Sequence, residues 1–108
     1  MESQRFRLEE ELLAAREELA RLEEKAQDRE EVSLGEGDPL LVQQQLNLAL
    51  VRDAESRVEQ IEHALERLEA GTYRTCESCG RPIDEARLEA LPYTTLCIEC
   101  ARRREEMA

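Results

Sequence analysis

Four cysteines stand in two pairs, Cys76-Glu77-Ser78-Cys79 and Cys97-Ile98-Glu99-Cys100, with seventeen residues between the pairs and no other cysteine in the chain. Thiolates two residues apart reach one ion from a tight turn, and two such turns supply four soft ligands for a closed tetrahedral site. The expected cofactor is therefore one Zn2+ held by Cys76, Cys79, Cys97 and Cys100. Four protein ligands leave no position for water, which points to a structural ion and not to a hydroxide generator. Gly80 follows the first pair, where a residue tolerant of positive φ lets backbone amides turn toward sulfur.

Two other readings of the cysteines fit the chain less well. A disulfide framework requires a secreted domain, but Arg7, Glu9, Glu10, Glu11, Arg16, Glu17 and Glu18 interrupt any apolar run of signal-peptide length, so a reducing, cytoplasmic setting is expected. A redox CxxC needs a thioredoxin-like βαβ context, which the flanks do not offer. Other chemistry is sparse. His63, the single histidine, lies between Glu62 and Ala64 on a polar helical face. No Ser/His/Asp set, phosphate-cradling glycine loop or HExxH pattern occurs, so an enzyme is not expected.

The elements that must position the cysteines follow from composition and period. The 108 residues include one Phe, two Tyr and no Trp, and 38% are charged. Such a chain suits long helices packed along a narrow seam and not a large globular core. Leu8, Leu12, Ala15, Leu19, Leu22 and Ala26 are spaced 4, 3, 4, 3 and 4; Val51, Ala54, Val58, Ile61, Leu65 and Leu68 are spaced 3, 4, 3, 4 and 3. Both are coiled-coil rhythms. The stretch between them, Asp28 to Pro39, carries glycines, a serine, a proline and several acids, as a turn would. Asp38 is placed to cap the second helix, with Pro39 at its first position.

The fold class read from this pattern is mainly α: an antiparallel helical hairpin (coiled coil) over residues 1–70 with its turn near 28–39, then a small four-cysteine zinc finger and C-terminal helix over 71–108. A second helix from about Leu40 to Ala70 measures roughly 45 Å. Gly71 ends it. Between the cysteine pairs Asp84 begins a short helix that runs to Leu91 and is stopped by Pro92, and Ala101 to Met107 forms a final helix. The layout is a zinc knob at the base of a hairpin. An intermolecular coiled coil remains the alternative for the seams, although a short tether favours intramolecular pairing. Leu40, Leu41, Val42, Leu46, Leu48 and Leu50 form a cluster wider than one stripe, which leaves leucines exposed near the turn as a partner or self-association surface.

Charge bounds the partners. With 26 acidic and 15 basic residues the net charge is -11, which opposes a phosphate backbone over most of the surface. Sequence-specific DNA binding and membrane association are not expected. Arg81, Arg87, Arg102, Arg103 and Arg104 are the local exception, either a basic patch on the zinc end or solvated helix ends.

The run Gly71-Thr72-Tyr73, Cys76-x-x-Cys79-Gly80-x-Pro82-Ile83, Arg87-Leu88-Glu89-Ala90-x-Pro92 and Cys97-Ile98-Glu99-Cys100 resembles the DksA/TraR family of C4-type zinc-finger transcription regulators (DnaK suppressor protein-like). The likeness is close from about Ile61 to Cys100, and the hairpin layout extends it over most of the chain. It implies a bacterial regulator that binds RNA polymerase core directly, its hairpin entering the secondary channel so that the tip modulates initiation. The tip residues implied are Asp38, Glu36 and Glu31. Well-known members carry Asp-x-x-Asp followed by alanine at the tip, whereas Asp38-Pro39-Leu40-Leu41 retains only the first acid. The positions that answer the alarmone ppGpp in the family fall on Gln60, Leu91 and Ala101, none basic, so little ppGpp response is expected. Two functions of other classes stand beside this one. They are a zinc-stabilised coiled-coil adaptor for another protein, and a zinc-ribbon nucleic-acid binder using the finger arginines.

Overall fold

The computed structural model describes residues 2–27 and 39–107. The turn expected near 28–39 lies outside the described residues except for Pro39. Four helices follow in order: α1 (Glu2–Gln27), α2 (Pro39–Ala70), α3 (Glu85–Ala90) and α4 (Ile98–Met107). Among the described residues no strand forms, and the one β-bridge pairs Thr75 with Pro82. The fold is an antiparallel helical hairpin with a small cysteine-bearing finger and a C-terminal helix. Among the described residues no helix is long and apolar enough to cross a membrane.

Local chemistry explains the helix limits. Pro39 stands at the first helical position of α2, where its missing N–H would be unsatisfied in any residue. At the other end Gly71 adopts φ +79. The Thr72 N–H reaches the Arg67 carbonyl at 2.9 Å and the Gly71 N–H reaches that of Leu68 at 3.3 Å. This is the paired closure of a Schellman turn, which satisfies carbonyls that the helix end would leave open. In α3, Asp84 holds the N-cap position but makes no side-chain capping bond. At the other end of α3 the Leu91 N–H donates to the Arg87 carbonyl at 2.8 Å.

The chain packs as two compact units, Met1–Glu11 with Gln60–Ala108, and Leu12–Glu59. In the first, the start of α1 runs antiparallel to the end of α2, tied by Arg5 Nη1 to Glu69 Oε1 at 2.9 Å. Its core is Leu8, Ile61, Ala64, Leu68, Tyr73, Ile83, Leu88 and Leu96, with Tyr73, Leu8 and Ile61 fully buried. In the second unit the helices are again antiparallel. Ala15, Ala54 and Val58 are buried along the seam, together with one polar residue, Asn47.

All twelve seam positions named from the sequence are buried or half-buried. Two differences stand out. Near the finger Ala64 is buried more deeply than Leu65, because a 3.6-residue turn drifts off a strict heptad. Toward the start of α2 amides share the inward positions with Leu41: Gln44 is half-buried, and Asn47 is buried and accepts a hydrogen bond from Gln43 at 3.1 Å. As the width of the cluster implies, Leu40, Val42, Leu46, Leu48 and Leu50 are exposed, while Leu41 is half-buried.

Candidate metal centre

The four cysteines are carried by two local structures within the first unit. Residues 74–83 form a tight hairpin: the Cys76 N–H donates to the Arg81 carbonyl at 2.8 Å, the Gly80 N–H to Cys76 at 3.0 Å, and the Ile83 N–H to Arg74 at 2.7 Å. Gly80 sits at φ +76, where a side chain would be strained. The second pair differs from expectation. The final helix does not wait until Ala101 but begins at Ile98, because the Cys97 carbonyl accepts the Ala101 N–H at 3.0 Å. Cys97 therefore stands at the helix N-terminus and Cys100 in its first turn, three residues on and on the same face.

These two pieces are held face to face. The Glu77 N–H donates to the Thr95 carbonyl at 2.9 Å, and the Thr95 hydroxyl donates to Glu77 Oε1 at 2.9 Å. The segment between the cysteine pairs supplies the scaffold. Arg87 Nε donates to the Leu96 carbonyl at 3.0 Å, Leu88 is buried, and the carbonyl of buried Pro92 accepts the Tyr73 hydroxyl at 2.7 Å. The Arg87-Leu88-Glu89-Ala90-Leu91-Pro92 run is thus a brace that sets the approach to Cys97.

The result is a sulfur cluster. The four Sγ atoms all lie within 4.8 Å of one another. Cys79 and Cys97 are 3.7 Å apart, far beyond a disulfide bond, and all four thiols are free. Zinc–sulfur bonds of ~2.3 Å in a tetrahedron require sulfur–sulfur edges of ~3.8 Å, so the donor set fits one Zn2+. Cys76 and Cys100 are buried, Cys97 half-buried and Cys79 exposed.

The buried thiols of the cluster are electrostatically unlike one another. Burial pushes the Cys76 thiol up, but hydrogen bonds from the backbone at Cys97, Cys79 and Ser78 outweigh it and bring it to about 6. At Cys100 the neighbouring Cys97 sulfur and burial act together and raise the thiol to about 12. One sulfur ionises more readily than an ordinary thiol and another less readily, each through its own hydrogen bonds and burial.

A group that sequence reasoning missed borders the cluster. His63 is exposed, as expected, and is not among the clustered sulfurs, but its Nε2 donates to Glu77 Oε2 at 2.8 Å. The Glu77 carboxyl is held below its ordinary value first by this bond and also by the Thr95 hydroxyl and the charge of Arg67. Arg67 Nη2 donates to the carbonyls of Thr72, at 2.8 Å, and Thr75, while Nη1 lies 3.6 Å from Glu77 Oε2. The last turn of α2 is thereby fastened to the first cysteine hairpin. The only sequence signal was negative, two side chains one turn apart with no assigned role.

Of the other named residues, Asp38, Glu36 and Glu31 lie outside the described residues. Gln60 is on α2, Leu91 is exposed after α3, and Ala101 is half-buried on α4. Of the finger arginines, Arg87 is spent inside the brace and Arg81 lies 3.7 Å from Glu99, while Arg102, Arg103 and Arg104 are exposed on α4.

Comparison with known proteins places this finger. Residues 71–106 match the model of the prokaryotic DksA/TraR C4-type zinc finger. The structure of transcription factor DksA2 from Pseudomonas aeruginosa superposes with a TM-score of 0.68 at 37% identity, over 98% of this chain and 86% of that one. The chain belongs to the DksA/TraR zinc-finger family. Among curated relatives, the RNA polymerase-binding transcription factor DksA of Caulobacter vibrioides (strain NA1000 / CB15N) is 46% identical over 48 residues, 44% of this chain and 34% of that protein. DksA of Escherichia coli (strain K12) is 44% identical over 50 residues, 45% of this chain and 33% of its own. The matched segment thus spans about a third of these relatives' length.

Proposed function

We propose that this protein is a transcription regulator that binds RNA polymerase core directly, with the hairpin of residues 1–70 entering the secondary channel to modulate initiation. Residues 71–108 form its zinc finger, in which Cys76, Cys79, Cys97 and Cys100 ligate one structural Zn2+. The observation that carries this reading is the likeness to DksA2 over nearly the whole chain, hairpin and finger together, at 37% identity. The names of the shorter matches, which call those relatives RNA polymerase-binding, add to it.

Physical chemistry supports the same route. Two antiparallel helices are narrow enough to enter a channel closed to a globular domain, and the charge of -11 favours approach to a positively lined one. Closed ligation by four cysteines suits a structural and not a catalytic ion. The acids Asp38, Glu36 and Glu31 are the proposed tip contacts. Because Gln60, Leu91 and Ala101 bear no charge, ppGpp is expected to change polymerase affinity little.

The test is equilibrium binding of labelled protein to bacterial core polymerase, with a known secondary-channel protein as competitor. Saturable, competed binding is the expected result. Absence of binding at micromolar enzyme would overturn the reading in favour of an adaptor for another protein.

A further inference from the structure

In a chain of which 38% is charged, residues 39–51 carry no charge at all. This stretch lies within α2. An uncharged helical stretch normally turns its aliphatic side chains inward, yet here the amide Asn47 is buried while Leu40, Val42, Leu46, Leu48 and Leu50 are exposed. Val42, Leu46 and Leu50 are 58%, 52% and 42% exposed. They are spaced by four residues and so form one continuous ridge, with Ala49 beside it.

We propose that this ridge is a homotypic contact through which two copies of the chain pair antiparallel about Leu46. The charge pattern selects a second copy as the occupant. With the two-fold axis at Leu46, Val42 of each helix meets Leu50 of the other, and residues 41–51 lie opposite 51–41. Every residue in that overlap is uncharged, so two molecules of net charge -11 meet where neither brings a charge. Almost any other antiparallel overlap would set the Glu-rich stretches of two copies together.

Geometry adds a second reason. Two i±4 ridges interdigitate at a crossing angle near ~50°, which carries the charged continuations of the two helices apart. Gln43 and Gln45 flank the ridge, and an amide can both donate to and accept from its own copy, as a two-fold contact requires. The exposed ridge and its flanks offer on the order of 800 Å² over both copies, below the ~1,200 Å² of stable complexes, so the pair is weak and governed by concentration.

Sedimentation equilibrium of the zinc-loaded chain, from about 1 μM to about 1 mM, reads this out. The weight-average mass is expected to rise from 12.5 kDa toward twice that value across the series. Leu46→Glu is expected to remain at the monomer mass, with helical signal and zinc content unchanged, since the site is exposed and Glu is a good helix former. Leu13→Glu, at an exposed leucine of α1, is expected to associate like the parent. As a check that needs no variant, concentration-dependent amide shifts should concentrate on residues 42–50. A parent that stays monomeric to about 1 mM overturns the proposal, as does a Leu46→Glu variant that still associates. Unchanged self-association with weakened polymerase capture in Leu46→Glu would assign the ridge to polymerase instead. The sedimentation series involves no polymerase, so its failure is distinct from failure of the proposed function.

Discussion

The unit made of residues 1–11 and 60–108 buries Tyr73, Leu8, Ile61, Leu68, Ile83, Leu88 and Leu96 around its sulfur cluster; the unit of residues 12–59 buries Ala15, Ala54, Val58 and Asn47. Both draw on α1 and α2, so helix propensity does not separate them. What separates them is how much apolar surface each takes out of water, at about 25 cal/mol per Å², and the four-cysteine cluster that, among the described residues, only the first carries. The first combines large buried side chains, a brace and four cysteines that can hold one Zn2+ ion, and is assigned the greater stability. The second is held by small residues along a seam, which places its opening free energy at the low end of the molecule. Under the proposed function a hairpin entering a channel would draw on that difference, since the apolar side chains buried in the second unit, Ala15, Ala54 and Val58, are small.

The contrast can be broken most severely at a ligand. Cys97→Ser should abolish stoichiometric zinc and most of the ~10 to 16 kcal/mol that a structural site contributes, unfolding the finger. Circular dichroism should still report helix from residues 12–59. Loss of all helical signal would show that the second unit depends wholly on the first.

Arg67→Met tests the fastening of α2 to the cysteine hairpin. It removes donors from the carbonyls of Thr72 and Thr75 and the charge beside Glu77. The expected loss is about 2 kcal/mol, read by denaturant unfolding of the zinc-loaded protein. A change within experimental error would mean that the finger is oriented by zinc and packing alone.

Tyr73→Phe should cost about 1 kcal/mol, because the Pro92 carbonyl loses its donor. The variant also changes the pH profile. Burial is the largest influence on the Tyr73 phenol and raises it above its ordinary value. The unfolded chain then releases that proton first, near pH ~10. Stability from this group is therefore complete below that pH and is lost as pH rises toward the folded value. The parent should weaken above pH ~10 and the Phe variant should lack that component.

The smallest effect has the opposite sign. Asn47→Leu replaces a buried amide by an apolar side chain in the seam and should stabilise residues 12–59 by somewhat under ~1 kcal/mol, after the lost Gln43 bond is counted. Amide exchange within α2 slows if this is right. Faster exchange would show that the amide pair holds the local register.

Much of this was legible because its signals are periodic or chemically exclusive. The leucine and alanine seams gave the two long helices, Gly71 and Gly80 marked the two positive-φ turns, and the cysteine spacing marked the sulfur cluster. The start of α4 was misplaced by three residues because a cysteine pair was treated as a turn, while the backbone of Cys97 also begins a helix. The exposure of leucines near the start of α2 was legible from a cluster wider than one stripe, but nothing in that cluster singled out Asn47 as the residue that turns inward. Glu77 meets His63 and Thr95 at separations of 14 and 18 positions along the chain, and no local period encodes such pairings. Asp38, Glu36 and Glu31 lie outside the described residues.

The most direct test of the claim that metal, more than apolar burial, holds the finger is hydrogen exchange with and without a zinc chelator. The amides of Cys76, Glu77 and Ile83 are hydrogen-bonded across the finger and report on it individually. Chelation should strip their protection while leaving α2 amides between Ala54 and Val58 close to their zinc-loaded rates. Protection of Cys76, Glu77 and Ile83 that survives chelation unchanged would contradict the account.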